Sequence, residues 1–200
     1  MATAEVRSSE RILNQALELF SAKGYDATSV REICEAANIT KPTLYHFYGS
    51  KEGVYRALVE GALDGFRHRL ESQILASGTP VERLKRVARG YFEIAREHRE
   101  FMRFLFGLIH NPPSSAPRTD FPSYYEGVVG LISQVVEDGV ADQTFAPGPV
   151  ELRMLVFMGA LGEAVCGSLI VGRPDLTPEL ADTLVETILR GWSPLSNEAP

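Results

Sequence analysis

An excess of positive charge is what the chain most plainly lacks. Lysine and arginine number 20 against 26 aspartate and glutamate, a net of −6, which excludes a polycation that holds nucleic acid by charge alone. Cysteine is scarce: Cys34 and Cys166 are the only two. Both lie in apolar, helix-spaced surroundings and read as free thiols in a reducing compartment. The four histidines, His46, His68, His98 and His110, have no metal-ligand spacing. A glycine-rich phosphate loop and a nucleophile motif are also missing. No metal, no cofactor and no catalytic residue is therefore expected, and the chain does not read as an enzyme. The N-terminus has no apolar leader, which points to a cytoplasmic location. No stretch alternates polar and apolar residues as a strand would, so the expected fold class is all-α.

Helical periodicity is present almost throughout, and one stretch, Ser29 to Lys51, leaves a helix face uncommitted. Val30, Ile33, Cys34 and Ala37 recur at helical spacing, and Ser29 with Glu32 three residues on is a capping-box pair. Asn38 tolerates left-handed backbone and can end that helix, Thr40 can cap the next, and Pro42 falls in its first turn. The second helix buries Leu44 and Phe47. Its other side carries Lys41, Pro42, Tyr45, His46 and Gly49, the form of a helix that enters a major groove. Lys41 suits a guanine edge, Thr43 a base or phosphate, Tyr45 a phosphate and sugar, and His46 a base edge or phosphate. Thr28 and Ser29, at a helix start, and Arg31, Thr40 and Lys51 complete the candidate DNA-binding set. Residues 1–60 hold seven Lys/Arg against eight Asp/Glu, a net of −1. Affinity must then come from placement and from two copies binding together.

Before this hairpin, Ile12, Leu13, Ala16, Leu17 and Phe20 form the stripe of a helix stopped by Gly24. After it, Ser50 caps a long helix predicted to run from Lys51 to Leu75 without a linker. Thr79, Pro80 and Glu82 open another, and a further helix carries Phe101, Phe104 and Ile109. Four of the twelve prolines fall between Asn111 and Ser123, which predicts a surface loop before helix resumes at Tyr124. Pro149 to Gly172 is the most apolar stretch. A membrane span is dismissed because Glu163 sits in its middle and no second span exists. A helix this apolar should be buried on nearly all sides. With the last helix, opened by Thr177 and Pro178, it suits a homodimer interface built as a four-helix bundle. Phe92, Phe101, Phe104, Tyr124, Tyr125, Met154, Phe157 and Met158 are candidates to line an apolar ligand pocket, with His110 and Glu163 as polar members. The division expected is 1–50 for DNA binding and 51–200 for ligand binding and dimerisation.

Residues 8 to 60 resemble the N-terminal domain of TetR/AcrR-family transcriptional regulators. ALELFSAKGYDATSV from Ala16 to Val30 and REICEAANITKPTLYHFYGSKEGV from Arg31 to Val54 carry the resemblance. It implies a three-helix helix-turn-helix domain joined by a long helix to a larger helical ligand-binding and dimerisation domain. The activity implied is that of a ligand-responsive regulator, a repressor in the usual case. Its partners would be a near-palindromic double-stranded operator, a small-molecule effector and a second copy of itself, with no membrane. The alternative is a helical protein-binding adaptor without DNA binding.

Overall fold

The computed structural model describes residues 2–110 and 115–192, the side chains of residues 2–5, Ala62, Leu108 and His110 excepted. Among the described residues there are nine α-helices and no strand. Two compact units result, one of residues 1–65 and 98–120, the other of residues 66–97 and 121–200.

The first unit is set by its caps. Helix α1 (Ala2–Lys23) buries Ile12, Ala16 and Phe20 and ends where Gly24 takes φ +83°. The Ser29 side chain accepts from the Glu32 N–H while the Glu32 carboxylate accepts from the Ser29 N–H at 2.9 Å, and the box starts α2 (Val30–Ala37). Asn38 closes it in the left-handed region, φ 51°. Thr40, extended, caps α3 (Lys41–Tyr48), and Pro42 sits in its first turn, where the missing N–H costs nothing. Leu44 is wholly buried, worth about 1.5–3 kcal/mol on hydrophobic transfer. Phe47, expected beside it in the core, is half-buried. The Tyr48 hydroxyl lies 2.6 Å from Ser9 Oγ and donates to the Ser9 carbonyl, tying α3 to the start of α1. Helix α6 (Arg99–His110) also packs on α1. Phe104 joins Phe20, Tyr25 and Tyr55 in an aromatic cluster with ring centroids 4.9–6.5 Å apart. Phe104, expected beside a ligand, is therefore core of the first unit; Phe101, on the same helix, lies half-buried in that unit.

Helix α4 (Lys51–Leu75) is continuous and contributes to both units. In the second unit α5 (Pro80–Glu97) contacts α7 (Phe121–Ala141), α8 (Val150–Val171) and α9 (Pro178–Arg190). Leu84, Val87, Ala88, Phe92 and Ala95 form its buried face. Ion pairs hold the flanks: Arg83 with Asp138 at 2.6 Å, Lys85 with Glu186 at 2.5 Å, and Arg89 with both oxygens of Asp182. Helix α7 starts at Phe121, three residues before the expected Tyr124, because Pro122 is tolerated in a first turn. Residues 111–114 of the expected proline loop lie outside the described residues.

Helix α8 departs from expectation more sharply. One side is core, with Met154, Phe157, Leu161 and Val165 buried, but Leu152, Leu155, Val156, Ile170 and Val171 are exposed. Its burial on nearly all sides is not met within one chain. By length and composition it is the one helix among the described residues apolar enough to cross a membrane. Arg153, near its start, is buried, donates Nη2 to the Ala146 carbonyl at 2.5 Å and lies over the Trp192 ring.

Candidate nucleic-acid interface

Short helix α3 is fixed from behind by Leu44 and from its ends by Thr40 and Gly49, and its outer side is left to solvent. Lys41, Pro42, Tyr45 and His46 are all exposed there, Tyr45 by 48 %. The Tyr45 side chain, between a lysine and a histidine, has no hydrogen-bond or ring partner among the described residues. The Thr43 and Thr40 hydroxyls lie 2.8 Å apart, so Thr43 is half committed to the cap while Thr40 holds the N-terminal N–H groups of α3.

Other members of the candidate set have prior commitments. Ser29 is exposed but occupied by the capping box. Arg31 is exposed and pairs with Glu35 at 2.7 Å, which raises its pKa. Thr28 is 2 % exposed and its hydroxyl donates to the Gly24 carbonyl at 2.8 Å. Lys51 donates Nζ to the carbonyls of Tyr25 and Thr28, each at 2.9 Å, over the Tyr25 ring at 4.0 Å. Thr28 and Lys51 thus brace the turn that leads into α2, and their side chains do not form part of the exposed face. Glu32, held well below the usual carboxylate range at about 2 by Lys23 and then by the Ser29 N–H and hydroxyl, locks the same turn from outside. Sequence reasoning missed this brace and the Tyr48–Ser9 tie, since both join residues far apart in the chain.

The second unit contains a cavity of about 40 Å³ walled by Phe66, Leu70, Val87, Tyr91, Ile94, Val128, Ile132, Met158 and Leu161, with Arg69, Gln73, Gly90 and Glu93 at its edge. Burial pushes the Tyr91 phenol up, out of its ordinary range. Of the residues expected at a ligand pocket whose side chains are described, only Met158 lines it. Phe92, Met154 and Phe157 are core, and Tyr125 and Glu163 are exposed. Tyr124 touches the wall residue Phe66, with ring centroids 6.4 Å apart. The side chain of His110 lies outside the described residues.

Residues 12–58 match the family model described as bacterial regulatory proteins, tetR family. Over residues 12–58 the chain is similar to the TetR family. Among the curated relatives, the biofilm operon HTH-type negative transcriptional regulator IcaR of Staphylococcus epidermidis is 42 % identical over 57 residues, 28 % of this chain and 31 % of that protein. The transcriptional repressor KstR2 of Mycolicibacterium smegmatis is 28 % identical over 139 residues, 69 % of this chain and 67 % of that one. The chain thus spans about a third of the first relative's length and two thirds of the second's. In structure it resembles the TetR-family transcriptional regulator PfmR of Thermus thermophilus, with a TM-score of 0.75, 26 % identity, and coverage of 92 % of this chain and 96 % of that one. The residues matched by the family model include the brace and α3, and the fold match extends over the second unit.

Proposed function

We propose that this chain is a ligand-responsive, DNA-binding transcriptional repressor, acting as a homodimer in the cytoplasm on a near-palindromic operator. The observation that carries the reading is the exposed Lys41–Pro42–Tyr45–His46 face of α3, held rigid by buried Leu44 and by caps at both ends. A residue set of this kind, with few basic groups, gives one subunit little affinity. Two α3 helices set about one DNA turn apart, roughly 34–36 Å, supply the rest. Relatives named as repressors support the sign of regulation.

The second copy docks on α8. Leu152, Leu155, Val156 and Ile170 share one helical face with Gly159 and Glu163, and α9 joins it in the interface. Glu163, exposed on that face, argues for a protein partner over lipid, where a carboxylate at mid-span costs about 2.5–3.5 kcal/mol. The effector occupies the apolar cavity in the second unit. Helix α4 has residues in its wall, and only Gly49 and Ser50 separate its start from the end of α3. A ligand that prefers one position of α4 by about 1–3 kcal/mol weakens operator binding roughly 5–150-fold. The N-terminal part, residues 1–50, is the reading head, and residues 51–200 carry ligand binding and dimerisation. The chain has no enzymatic role in this scheme.

The test selects genomic fragments bound by the purified protein and measures binding to the recovered operator. Lys41→Ala is expected to relax preference at one base pair per half-site, costing about 1–3 kcal/mol there. Tyr45→Phe is expected to weaken all sequences alike. Absence of any salt-dependent DNA binding would return the chain to the adaptor reading.

A further inference from the structure

The caps at Thr40 and Gly49 fix the form of α3 but not its tilt. Of its eight side chains only Leu44 is buried; Phe47 and Tyr48 are half-buried, and Lys41, Pro42, Tyr45 and His46 face solvent. A helix of this size is about 12 Å long, and a single buried leucine near its middle acts as a pivot. A tilt of about 10° about that point carries the tip of an outward side chain roughly 1 Å, enough to spoil a hydrogen bond to a base edge. A second fixed point, away from the pivot, is needed if the exposed face is to read sequence.

Tyr48 supplies it. One turn from Leu44 and on the same side of α3, it reaches α1 through its hydroxyl. The phenol donates to the Ser9 carbonyl at 3.1 Å, which spends its single proton, so the Ser9 hydroxyl, 2.6 Å away, donates to the phenol oxygen. Ser9 continues the stripe of Ile12, Ala16 and Phe20 by one turn, and a hydroxyl thus stands where that stripe meets α3. Downstream, α1 is immobilised by the buried stripe itself, by the aromatic cluster around Phe20, and by Ser21 Oγ donating to the Glu100 carbonyl at 3.2 Å. Both members of the tie are half-buried, so a severed bond is replaced by water and the core is not opened.

We infer that Tyr48 and Ser9 are positioning residues for DNA recognition: their two hydrogen bonds set the tilt of α3 and, with it, the preference for the operator over other sequences. The inference rests on reading α3 as the helix that meets DNA. Phosphate contacts tolerate a tilted helix and carry no sequence information, whereas base-edge contacts do not tolerate it. Loss of the tie therefore falls on specificity.

The test measures binding of the purified full chain to the recovered operator and to a scrambled duplex of equal length. Tyr48→Phe keeps the ring and removes both bonds. It is expected to weaken operator binding about threefold per half-site and roughly tenfold for two, and to leave the scrambled duplex within about twofold of the parent. Its melting temperature should stay near the parent's. Ser9→Ala, which keeps the carbonyl bond, is expected to give a smaller loss of the same kind. The double variant should lose no more than Tyr48→Phe alone, because the Ser9 hydroxyl acts only through the phenol. An unchanged operator-to-scrambled ratio in Tyr48→Phe overturns the inference. Equal losses on both duplexes with a lowered melting temperature, the mark of a purely structural role, do so too. A Ser9→Ala protein that keeps the parent's ratio also overturns it, since the Tyr48 hydroxyl would then serve DNA directly. A parent that prefers no sequence sinks the regulator reading together with this inference, whereas a parent and a Tyr48→Phe variant with the same preference sink the positioning role alone.

Discussion

Glu32 shows how one side chain can serve a whole surface. Its carboxylate accepts from the Ser29 N–H and hydroxyl and from Lys23, so the ionised form is favoured in the folded chain and its pKa falls to about 2. Unfolded, the same group titrates near 4.5. A depressed carboxylate contributes stability that is fully present above the unfolded value and is lost as pH drops through the folded one. The expected window is therefore pH 4.5 down to about 2. Glu32→Gln retains a residue able to complete the capping box but removes the charge. Its melting temperature should lie below that of the parent at pH 7 and converge with it as pH falls towards 2. Curves that stay parallel across that range would show that Glu32 plays no such part. Lys41 and Tyr45, on the next helix, differ in kind: both are exposed, so their substitution is read in DNA binding more than in stability.

At the scale of elements, the joint between α3 and α4 depends on Gly53. A Cβ there would stand 1.8 Å from the Tyr48 carbonyl oxygen, and backbone cannot move aside cheaply. Gly53→Ala is expected to cost about 1–3 kcal/mol as an overpacked contact. The loss should appear as reduced hydrogen-exchange protection in α2 and α3, with the α5–α9 amides unchanged. An unshifted melting temperature would mean the joint is slack. Nothing local in the sequence marks this glycine as special, since one turn into a helix it reads only as a poor helix former. The caps were legible for the opposite reason. Ser29, Asn38, Thr40 and Pro42 each act on backbone within three residues, so their chemistry is written next to their effect. Attachment of α6 to α1 was not legible, because its apolar stripe of Phe101, Met102, Phe104 and Leu105 fits any apolar neighbour. The cavity wall escaped for the same cause. An aromatic or aliphatic residue at helical spacing is equally suited to core and to wall, and only the packing of α4, α5, α7 and α8 assigned Phe66, Val128 and Ile132 to the wall.

For the molecule as a whole, the deciding quantity is what covers α8. Leu155 is 68 % and Ile170 75 % exposed on the single chain, and soluble proteins seldom leave so continuous an apolar strip to water. In a two-fold dimer the same strip meets its copy, each Leu155 buried by the partner's apolar face. Burying one leucine is worth about 1.5–3 kcal/mol, and the contact counts twice by symmetry. Leu155→Glu replaces that gain with two like charges facing each other in a desolvated seam. The expected result is a monomer by light scattering that keeps its helical circular dichroism, because Leu155 is mostly exposed within its own subunit. Half-site DNA affinity should be unchanged and affinity for the full operator should fall to that of a half-site. If the variant remains a dimer, the subunits meet elsewhere; if the monomer binds the full operator as tightly as the parent, DNA recognition does not depend on two copies, and the account of how so weakly basic a surface holds DNA fails with it.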